Sequence, residues 1–531
     1  MRIGRRYRAK RLAEGYDAVV IGSGIGGLTT AALLSDLGWK VCVLEQHYTA
    51  GGYTHSYDRN GYEWDVGVHY IGDVSAKTPT RMMFDFLSGG RLKWAPMDDE
   101  YDRFFIGDKV FSAVAGKPQF RDNLLSHFPA EAKAIDRYME LLDQVGRALP
   151  VYAVNKLLQP WQRVIAWPYL KLKTPSLLFR NTYEVLSELT QDQDLIAVLC
   201  GQWGDMGLAP KKSAFQVHAL IARHYMYGGN YPVGGSWKIA ETIIPKIQKS
   251  GGEVFTYALV KRILLKGKQV TGVEMTDGHH IDCSCVISSA GTDNTFHRLL
   301  ASDAVQKAGY GQLLTHVKPS MSHLGVYIGL KETAEALGLP KTNFWIYPGN
   351  DYDAAVDAFM DDPQAPFPVV YISFPSAKDP DYLRRRPGTA TIEIVAPAPF
   401  AWFEKWRDTT WGQRGDDYEA FKTDLGERLM QHLYDKLPQL NGKVDYYEIS
   451  TPLSTDHFCA YRHGELYGLD HDAVRLQQTW LGPRTRFKGL WLTGQDVLTC
   501  GVAGAMMAGL LTTVAIAGLR QSSSLLKRIF N

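Results

Sequence analysis

Residues 16–45 read YDAVVIGSGIGGLTTAALLSDLGWKVCVLE, and this stretch decides the fold. A short β-branched run from Tyr16 to Ile21 ends at the turn GSGIGG, and the segment after it has helical periodicity up to Gly38. A second apolar run then ends in Glu45. Strand, glycine turn, helix, second strand and terminal acid in this order predict a Rossmann-type dinucleotide-binding unit.

The glycines and the acid of this unit have separate roles. Gly22 permits the tight turn, Gly24 lets the backbone approach a pyrophosphate, and Gly27 lets the helix pack closely on the strand. The helix N-terminus supplies free N–H groups and a partial positive charge for the phosphates. Glu45 is expected to accept hydrogen bonds from the ribose hydroxyls and to repel a 2′-phosphate, so NADP is a poor candidate.

Two further features favour a flavin over NAD. Gly51 and Gly52 follow the acid closely and would let a loop pass the cofactor phosphates from the other side, which NAD sites do not usually need. Residues 62–70 (YEWDVGVHY) read as a strand with Gly67 in its middle, where a side chain would block a neighbour. A planar ring system is a plausible neighbour there.

The remaining strands of this unit are predicted far along the chain. Residues 253–290 read as three strands, of which the first is the run 254–265 (VFTYALVKRILL) and the last ends at Ala290 and Gly291. Residues 488–494 (KGLWLTG) read as another strand. The uncharged stretch 497–519 that follows is long enough to cross a bilayer, but its glycines and threonines favour a buried helix.

The pattern therefore predicts an α/β protein with a discontinuous Rossmann-type cofactor domain. We place this domain at residues 12–75, 215–300 and 485–531. The two long insertions, 76–214 and 301–484, are predicted to form an α+β substrate-binding domain.

Composition narrows the functional classes. The chain has 531 residues, of which 45% are hydrophobic and 21% charged, as in compact globular proteins rather than disordered ones. Its 58 basic and 56 acidic residues give a net charge of +2, which argues against a nucleic-acid partner. Six cysteines without a CxxC pair or a Cys/His cluster indicate a reducing, cytoplasmic compartment and no structural metal.

One segment suggests contact with a membrane surface. Residues 149–179 alternate apolar and aromatic residues with Lys156, Arg163, Lys171 and Lys173, and they contain no acid. This pattern is typical of a segment lying on anionic lipid. A helical pair covering a substrate tunnel is a compatible alternative, and we expect a peripheral rather than a spanning association.

Taken together, the motifs resemble the flavin-dependent family of phytoene desaturases, carotenoid isomerases and retinol saturases, within the amine-oxidase-like flavoproteins. The glycine turn, VLE and the diglycine match the whole superfamily. The segments 64–72 (WDVGVHYIG), 231–241 (YPVGGSWKIAE) and 492–506 (LTGQDVLTCGVAGAM) look most like the all-trans-retinol 13,14-reductase branch. Family members commonly have a basic residue directly after the diglycine, where this chain has Tyr53.

The resemblance implies FAD as cofactor. It implies that the glycine turn binds the pyrophosphate, that Glu45 binds the adenosine ribose, and that Val260 contacts the adenine through its backbone. The predicted cofactor-binding residues are Gly22, Ser23, Gly24, Gly26, Gly27, Glu45, Gln46, Gly51, Gly52, Gly67, Val260, Ala290, Gly291, Gly494, Gln495, Asp496, Val502, Ala503, Gly504 and Ala505.

The resemblance also implies a long apolar substrate with carbon–carbon double bonds, a polyene or a fatty-acyl chain. A retinol-saturase-like reductase is the main interpretation, and a desaturase or double-bond isomerase of carotenoids or unsaturated lipids is the alternative. Two further functional classes are a non-catalytic flavin-binding lipid carrier and an amine oxidase. Amine oxidases of this superfamily often enclose the amine in an aromatic cage, and no segment of this sequence predicts one. The chain shows no second GxGxxG for a nicotinamide cofactor, so the electron donor is unknown.

Reduction of a double bond needs a proton source close to the flavin. His69 and Tyr70 follow Gly67 and are the first candidates. A second polar cluster precedes the last strand, and from it His457 and Glu465 are the candidates.

Overall fold

The computed structural model describes residues 2–531, except the side chain of Leu519. Over these residues the strands are β1 Arg5–Arg6, β2 Ala18–Ile21, β3 Val41–Leu44, β4 Ser56–Arg59, β5 Tyr62–Asp65, β6 Trp94–Pro96, β7 Glu100–Ile106, β8 Lys109–Val114, β9 Asn230–Pro232, β10 Glu253–Thr256, β11 Val260–Lys266, β12 Gln269–Met275, β13 His280–Asp282, β14 Val286–Ser288, β15 His323–Leu330, β16 Asn343–Tyr347, β17 Val370–Ser373, β18 Ala390–Pro397, β19 Val444–Ser450 and β20 Leu490–Leu492.

Helices cover the sheets and form a separate helical region. The helices are α1 Ile25–Asp36, α2 Pro79–Ser88, α3 Lys117–His127, α4 Ala132–Leu157, α5 Pro160–Lys173, α6 Thr182–Ser187, α7 Gln193–Leu199, α8 Phe215–Tyr225, α9 Lys238–Gln248, α10 Ser302–Lys307, α11 Tyr310–Leu314, α12 Tyr352–Asp361, α13 Pro375–Lys378, α14 Tyr382–Arg385, α15 Asp416–Lys436, α16 Pro452–Cys459, α17 Ala473–Gln477 and α18 Gly501–Phe530.

A six-stranded parallel sheet forms the cofactor side of the molecule. Its strand order is β1-β10-β3-β2-β14-β20, so the first strand of the glycine unit lies in the middle with neighbours from distant parts of the chain. All four residues of β2 and of β3 are buried, as expected of a parallel sheet covered on both faces. The α/β Rossmann-type prediction is confirmed.

A seven-stranded sheet forms the other side. Its order is β19-β15-β18-β17-β16-β7-β8, and every pair is antiparallel except the parallel β16 and β7. Helix α15 packs on this sheet and completes a second apolar core. The strands come from residues 100–114 and 323–450, which lie in the two predicted insertions.

Some element boundaries differ from the predictions. The run read as one strand from residue 254 is β10 and β11 in two different sheets, because the backbone turns at Tyr257 with φ 52°. Strand β5 ends at Asp65, so Gly67 lies beyond the strand and not within it. The parallel sheet begins at Arg5, before the predicted domain boundary at residue 12. The sequence did not predict this strand, because two exposed arginines carry no strand pattern.

The uncharged C-terminal stretch is a helix that packs on the glycine unit. Helix α18 continues beyond the predicted end to Phe530, with a kink at Gly518 (φ 74°). By length and composition Gly501–Gly518 is the one candidate for a membrane-crossing helix among the described residues. A Cβ at Gly509 would lie 2.7 Å from the Gly26 carbonyl oxygen and from Thr29 Cβ, so close packing on α1 explains the small residues.

The helical pair α4 and α5 presents an apolar surface. The exposed fractions are 76% for Val164, 72% for Ile165 and 78% for Leu172, and Trp161, Trp167 and Tyr169 on the same helix are more than half exposed. A contiguous exposed apolar face of this kind marks an interaction surface. We call it the α5 face.

Candidate functional site

A cavity of about 1660 Å³ connects the two sides of the molecule. Pockets for drug-sized ligands measure roughly 300–1000 Å³, so this one has room for a dinucleotide together with a long substrate. It runs from the glycine turn and the start of α18 to the seven-stranded sheet, with an arm between α4, α8 and α18. All predicted cofactor-binding residues except Ser23 and Gly27 line it, as do His69 and Tyr70.

The glycine turn has the shape that close approach of a phosphate requires. Gly22 has φ 95°, which favours glycine. A Cβ at Gly27 would lie 2.3 Å from the Gly22 carbonyl oxygen, and one at Gly26 would lie 2.6 Å from Gly494 Cα. The turn therefore admits no side chain at either position, and Gly27 acts through packing rather than by contacting the cavity.

Glu45 ends β3 beside this turn and is buried. Its Oε2 accepts hydrogen bonds from the backbone N–H and the hydroxyl of Ser23, at 2.8 and 2.7 Å, and its Oε1 accepts one from the His47 N–H at 2.8 Å. Ser23 thus acts by orienting the acid. Both acceptor sites of Oε2 are thus used, whereas Oε1 retains one, so the acid can still receive a hydroxyl group of a ribose.

The diglycine lies directly on the turn. Gly51 pairs with Gly24, and the Gly51 N–H donates to the Ser23 hydroxyl at 3.1 Å. A Cβ at Gly52 would lie 2.8 Å from Gly24 Cα. Tyr53, which stands where the family commonly has a basic residue, is half-buried and stacks on Tyr461 with ring centroids 6.4 Å apart. No positive charge is therefore supplied at this position.

The C-terminal segment closes the cofactor end of the cavity. Asp496 accepts hydrogen bonds from the Thr292 N–H at 2.7 Å and the Leu469 N–H at 3.1 Å, so its carboxylate holds two loops together. The Cys500 N–H donates to His471 Nε2 at 2.8 Å and fixes the residue before α18. The first turn of α18 then faces the cavity with small residues and free N–H groups.

His69 has an acidic partner that was not predicted. Its Nδ1 lies 2.9 Å from Oε2 of Glu393 on β18, and neither atom has a hydrogen-bond partner among the described residues. Burial, with the positive charge of Lys378, lowers the pKa of His69 to about 3. Burial and the nearby Asp65 raise the pKa of Glu393 well above its usual value. Both shifts favour the uncharged forms, a neutral imidazole and a protonated carboxyl, over an ion pair.

Lys378 binds the backbone of His69 and two polar side chains nearby. Its Nζ donates to the His69 carbonyl oxygen at 3.0 Å, to the Ser373 hydroxyl at 2.8 Å and to the Asn343 side chain. Burial lowers the pKa of Lys378 to about 7. This network fixes the backbone of His69 and therefore the position of its ring.

Hydrogen bonds and ring stacking fix the side chain of Tyr70. Its hydroxyl donates to Asp102 at 2.8 Å, and the Gln202 amide donates to the same carboxylate oxygen at 2.8 Å. Its ring stacks on Tyr225 with centroids 4.1 Å apart. Because its proton already has an acceptor, Tyr70 is better placed to shape the cavity wall than to donate.

The second pair of catalytic candidates does not line the cavity. His457 lies on α16 and stacks on Trp411, with ring centroids 5.4 Å apart. Glu465 is buried and accepts a hydrogen bond from the His463 N–H at 2.9 Å. Burial raises the pKa of Glu465 to about 7. His457 thus belongs to α16, and Glu465 lies in the segment between α16 and α17.

Aromatic rings gather where the cavity meets the seven-stranded sheet. Trp203, Tyr225, Trp345, Tyr371 and Tyr467 line this end. They come from five separate segments, so no single stretch of sequence announces the cage that they form. Asp205, which lies among them, was also missed in the sequence.

No group of three or more His, Cys, Asp or Glu side chains within residues 2–531 is arranged to hold a metal ion, and all six cysteines are free.

The comparisons with known proteins agree with this architecture. Residues 20–87 match the model of the NAD(P)-binding Rossmann-like domain. An oxidoreductase from Methanosarcina mazei has the same fold, with a TM-score of 0.58 and 18% identity over 94% of this chain and 99% of that one. A redesigned putrescine oxidase superposes with a TM-score of 0.61 and 14% identity, over 95% and 99% of the two chains.

Sequence relatives are closer. The all-trans-retinol 13,14-reductase of Danio rerio is 36% identical over 99% of this chain and 90% of its own length, and the human enzyme is 37% identical over 96% and 87%. A chloroplastic prolycopene isomerase of Daucus carota is 25% identical over 96% and 82%. The glycine turn, the discontinuous parallel sheet and similarity along nearly the whole length all place this chain in the all-trans-retinol 13,14-reductase family of oxidoreductases.

Proposed function

We propose that this chain is an FAD-dependent reductase of a carbon–carbon double bond in a retinol-like polyene alcohol. The observation that carries the proposal is the continuous cavity, which joins a nucleotide site to an apolar, aromatic chamber. The names of the full-length relatives support the substrate class.

The residues around the glycine turn fit FAD. The turn and the diglycine would hold the pyrophosphate, Glu45 the adenosine ribose, and Val260 the adenine. Gly494, Gln495 and the first turn of α18 would lie along the ribityl chain and the ring. When bound and reduced, the flavin supplies a hydride to one alkene carbon.

The protein must supply the proton for the other alkene carbon. His69 faces the cavity, and its Nδ1 contacts the protonated carboxyl of Glu393. His69 can release the proton at Nε2 while its Nδ1 takes the proton of Glu393, so the imidazole is neutral before and after the transfer. Buried aromatic walls exclude water from this end of the cavity.

A desaturase or double-bond isomerase is the second candidate. The prolycopene isomerase relative favours it, and the same arrangement of cofactor site and apolar chamber serves either direction of the reaction. The direction is set by the redox potential of the flavin and its electron donor, not by the shape of the cavity.

We also propose that the α5 face rests on an anionic membrane at the cytoplasmic side. Three aliphatic side chains on this helix are more than 70% exposed, and Lys171 and Lys173 flank them with no acid in 149–179. Lys156 does not take part, because it is buried and its Nζ donates to the Gln478 carbonyl oxygen at 3.0 Å.

Mass spectrometry of lipids from cells that produce the protein tests the function. The control is cells producing Gly26→Val, which blocks the glycine turn. A product heavier than its precursor by two hydrogens, seen only with the unaltered protein, supports the reductase. Loss of two hydrogens favours a desaturase, unchanged mass with altered retention favours an isomerase, and purified protein without a flavin spectrum contradicts the proposal.

A further inference from the structure

Asp205 is a half-buried residue whose Oδ2 is buried and has no hydrogen-bond partner, and it lies where the aromatic rings line the cavity. It ends the short turn Trp203–Asp205 and lines the cavity. No residue within the described range 2–531 donates a hydrogen bond to this oxygen. An unsatisfied buried polar group costs about 1–3 kcal/mol in a folded protein. A ligand that forms a hydrogen bond with this carboxyl group would recover that free energy.

The surroundings of Asp205 are aromatic. Tyr225 and Tyr467 line the same cavity as Asp205, and burial together with the Asp205 carboxyl raises the pKa of both rings well above the usual value. The Tyr467 hydroxyl donates to the Gly204 carbonyl oxygen at 2.9 Å and thereby fixes the turn. The backbone that carries the Asp205 side chain is thus fixed.

The same turn is tied to the cofactor end of the cavity. The thiol of Cys500, the residue directly before α18, donates to the Asp205 carbonyl oxygen at 3.5 Å. Asp205 therefore lies close to the helix start that the proposed function assigns to the flavin. The apolar arm, lined by Leu149, Ala153, Ile221 and Leu510, leads away from this point.

The charge state of Asp205 selects the kind of ligand. Burial, reinforced by the second carboxyl of Asp102, raises the pKa of Asp205 well above its usual value. A protonated carboxyl both donates and accepts a hydrogen bond, which matches a neutral hydroxyl group. A neutral hydroxyl group therefore matches this carboxyl better than an ammonium group, which would need its charged form.

From these observations, which extend the proposed function and rest on it, we infer that Asp205 is the binding group for the terminal hydroxyl of a polyene alcohol. The aromatic rings enclose the hydroxyl end, and the apolar arm takes the rest of the chain. In retinol the hydroxyl is on carbon 15, so carbon 14 of the reacting bond is only two bonds from the anchored oxygen. Anchoring this end would thus fix the reacting bond at the cofactor end of the cavity.

The test compares two ligands on the flavin-loaded protein, all-trans-retinol and retinyl methyl ether. The ether keeps the polyene but cannot donate a hydrogen bond. Binding is followed by quenching of tryptophan fluorescence, since Trp203 and Trp345 line the cavity. The variants are Asp205→Leu, Asp205→Asn and, as a matched control, Asp353→Asn, which alters a buried carboxyl outside the cavity.

We expect Asp205→Leu to weaken retinol binding by about tenfold or more and ether binding by less than about threefold. Asp205→Asn, whose amide also donates and accepts, should stay within about threefold of the unaltered protein for retinol, as should Asp353→Asn. Retinol binding that survives Asp205→Leu, or an equal loss of both ligands, would overturn the inference.

If Asp205→Leu does not fold, the inference can still be tested on the unaltered protein. The unaltered protein should bind retinol about tenfold more tightly than the ether, and equal affinities would overturn the inference. Failure of the proposed function looks different, because then the unaltered flavin-loaded protein neither binds nor reduces retinol. That result overturns both statements, whereas retained binding by Asp205→Leu overturns only the role of Asp205.

Discussion

Replacement of Glu393 by glutamine should separate proton supply from positioning at His69. Glutamine has the same shape, can accept from the Asp65 N–H as Glu393 Oε1 does at 2.8 Å, and can still donate a hydrogen bond to His69 Nδ1. It cannot release a proton. If Glu393 returns the proton that His69 gives to the substrate, the variant loses the relay but keeps the geometry.

General acid catalysis contributes about 10²–10⁴-fold to a rate. We therefore expect Glu393→Gln to lower kcat for retinol reduction by about 100-fold and to leave KM within about threefold. His69→Gln should cost a similar factor, and the double variant should lose little more, because the two residues act as one unit. The assay is product formation from retinol by flavin-loaded protein with a chemical reductant.

The pH dependence supplies an independent check. The protonated carboxyl is the active form, and burial raises the pKa of Glu393, so kcat of the unaltered protein should fall only when the pH rises through that raised pKa. Glu393→Gln should lack this fall. A kcat within about threefold of the unaltered value, or an unchanged pH profile in the variant, would refute the relay.

Three further predictions concern the cofactor, the membrane and stability. Gly26→Val should abolish flavin binding, measured as flavin absorbance per protein, because a Cβ there would lie 2.6 Å from Gly494 Cα; normal flavin content would contradict this. Leu172→Glu should weaken sedimentation with vesicles of anionic lipid by about tenfold, whereas Leu383→Glu, exposed elsewhere, should not; equal effects would exclude the α5 face. Burial raises the pKa of Glu465 to about 7, so the folded state binds more protons than the unfolded state between pH 4.5 and 7 and loses stability as the pH rises. Glu465→Gln should therefore raise the melting temperature, measured by calorimetry, at pH 8 and not at pH 4. A shift of the same size at both pH values would refute the assignment.

The cofactor side could be predicted from sequence because its signals are local. Gly22, Gly24 and Gly27 are required by backbone geometry within one turn, and Glu45 follows at the end of the next strand. Helix α18 was predicted from its glycines. The division into β10 and β11 was not, because the apolar pattern runs through Tyr257 without a break.

The substrate side depends on contacts between distant segments. Asp205, Tyr371 and Tyr467 come from three distant segments and line one cavity only in the folded chain, so local geometry fixes no spacing between them. Glu393 had a readable signal, since it is a lone acid between Ile392 and Ile394 in an apolar strand. Its partner His69 could not be read from the same strand, because it lies more than 300 residues earlier in the sequence.

Single-turnover reduction of all-trans-retinol by the purified, flavin-loaded protein tests the central claim most directly. The flavin is reduced chemically without oxygen, excess reductant is removed, and retinol is added. The account predicts that the flavin reoxidises and that one equivalent of a product two hydrogens heavier than retinol appears. A flavin that stays reduced in the presence of bound retinol, or that reoxidises without such a product, would contradict it.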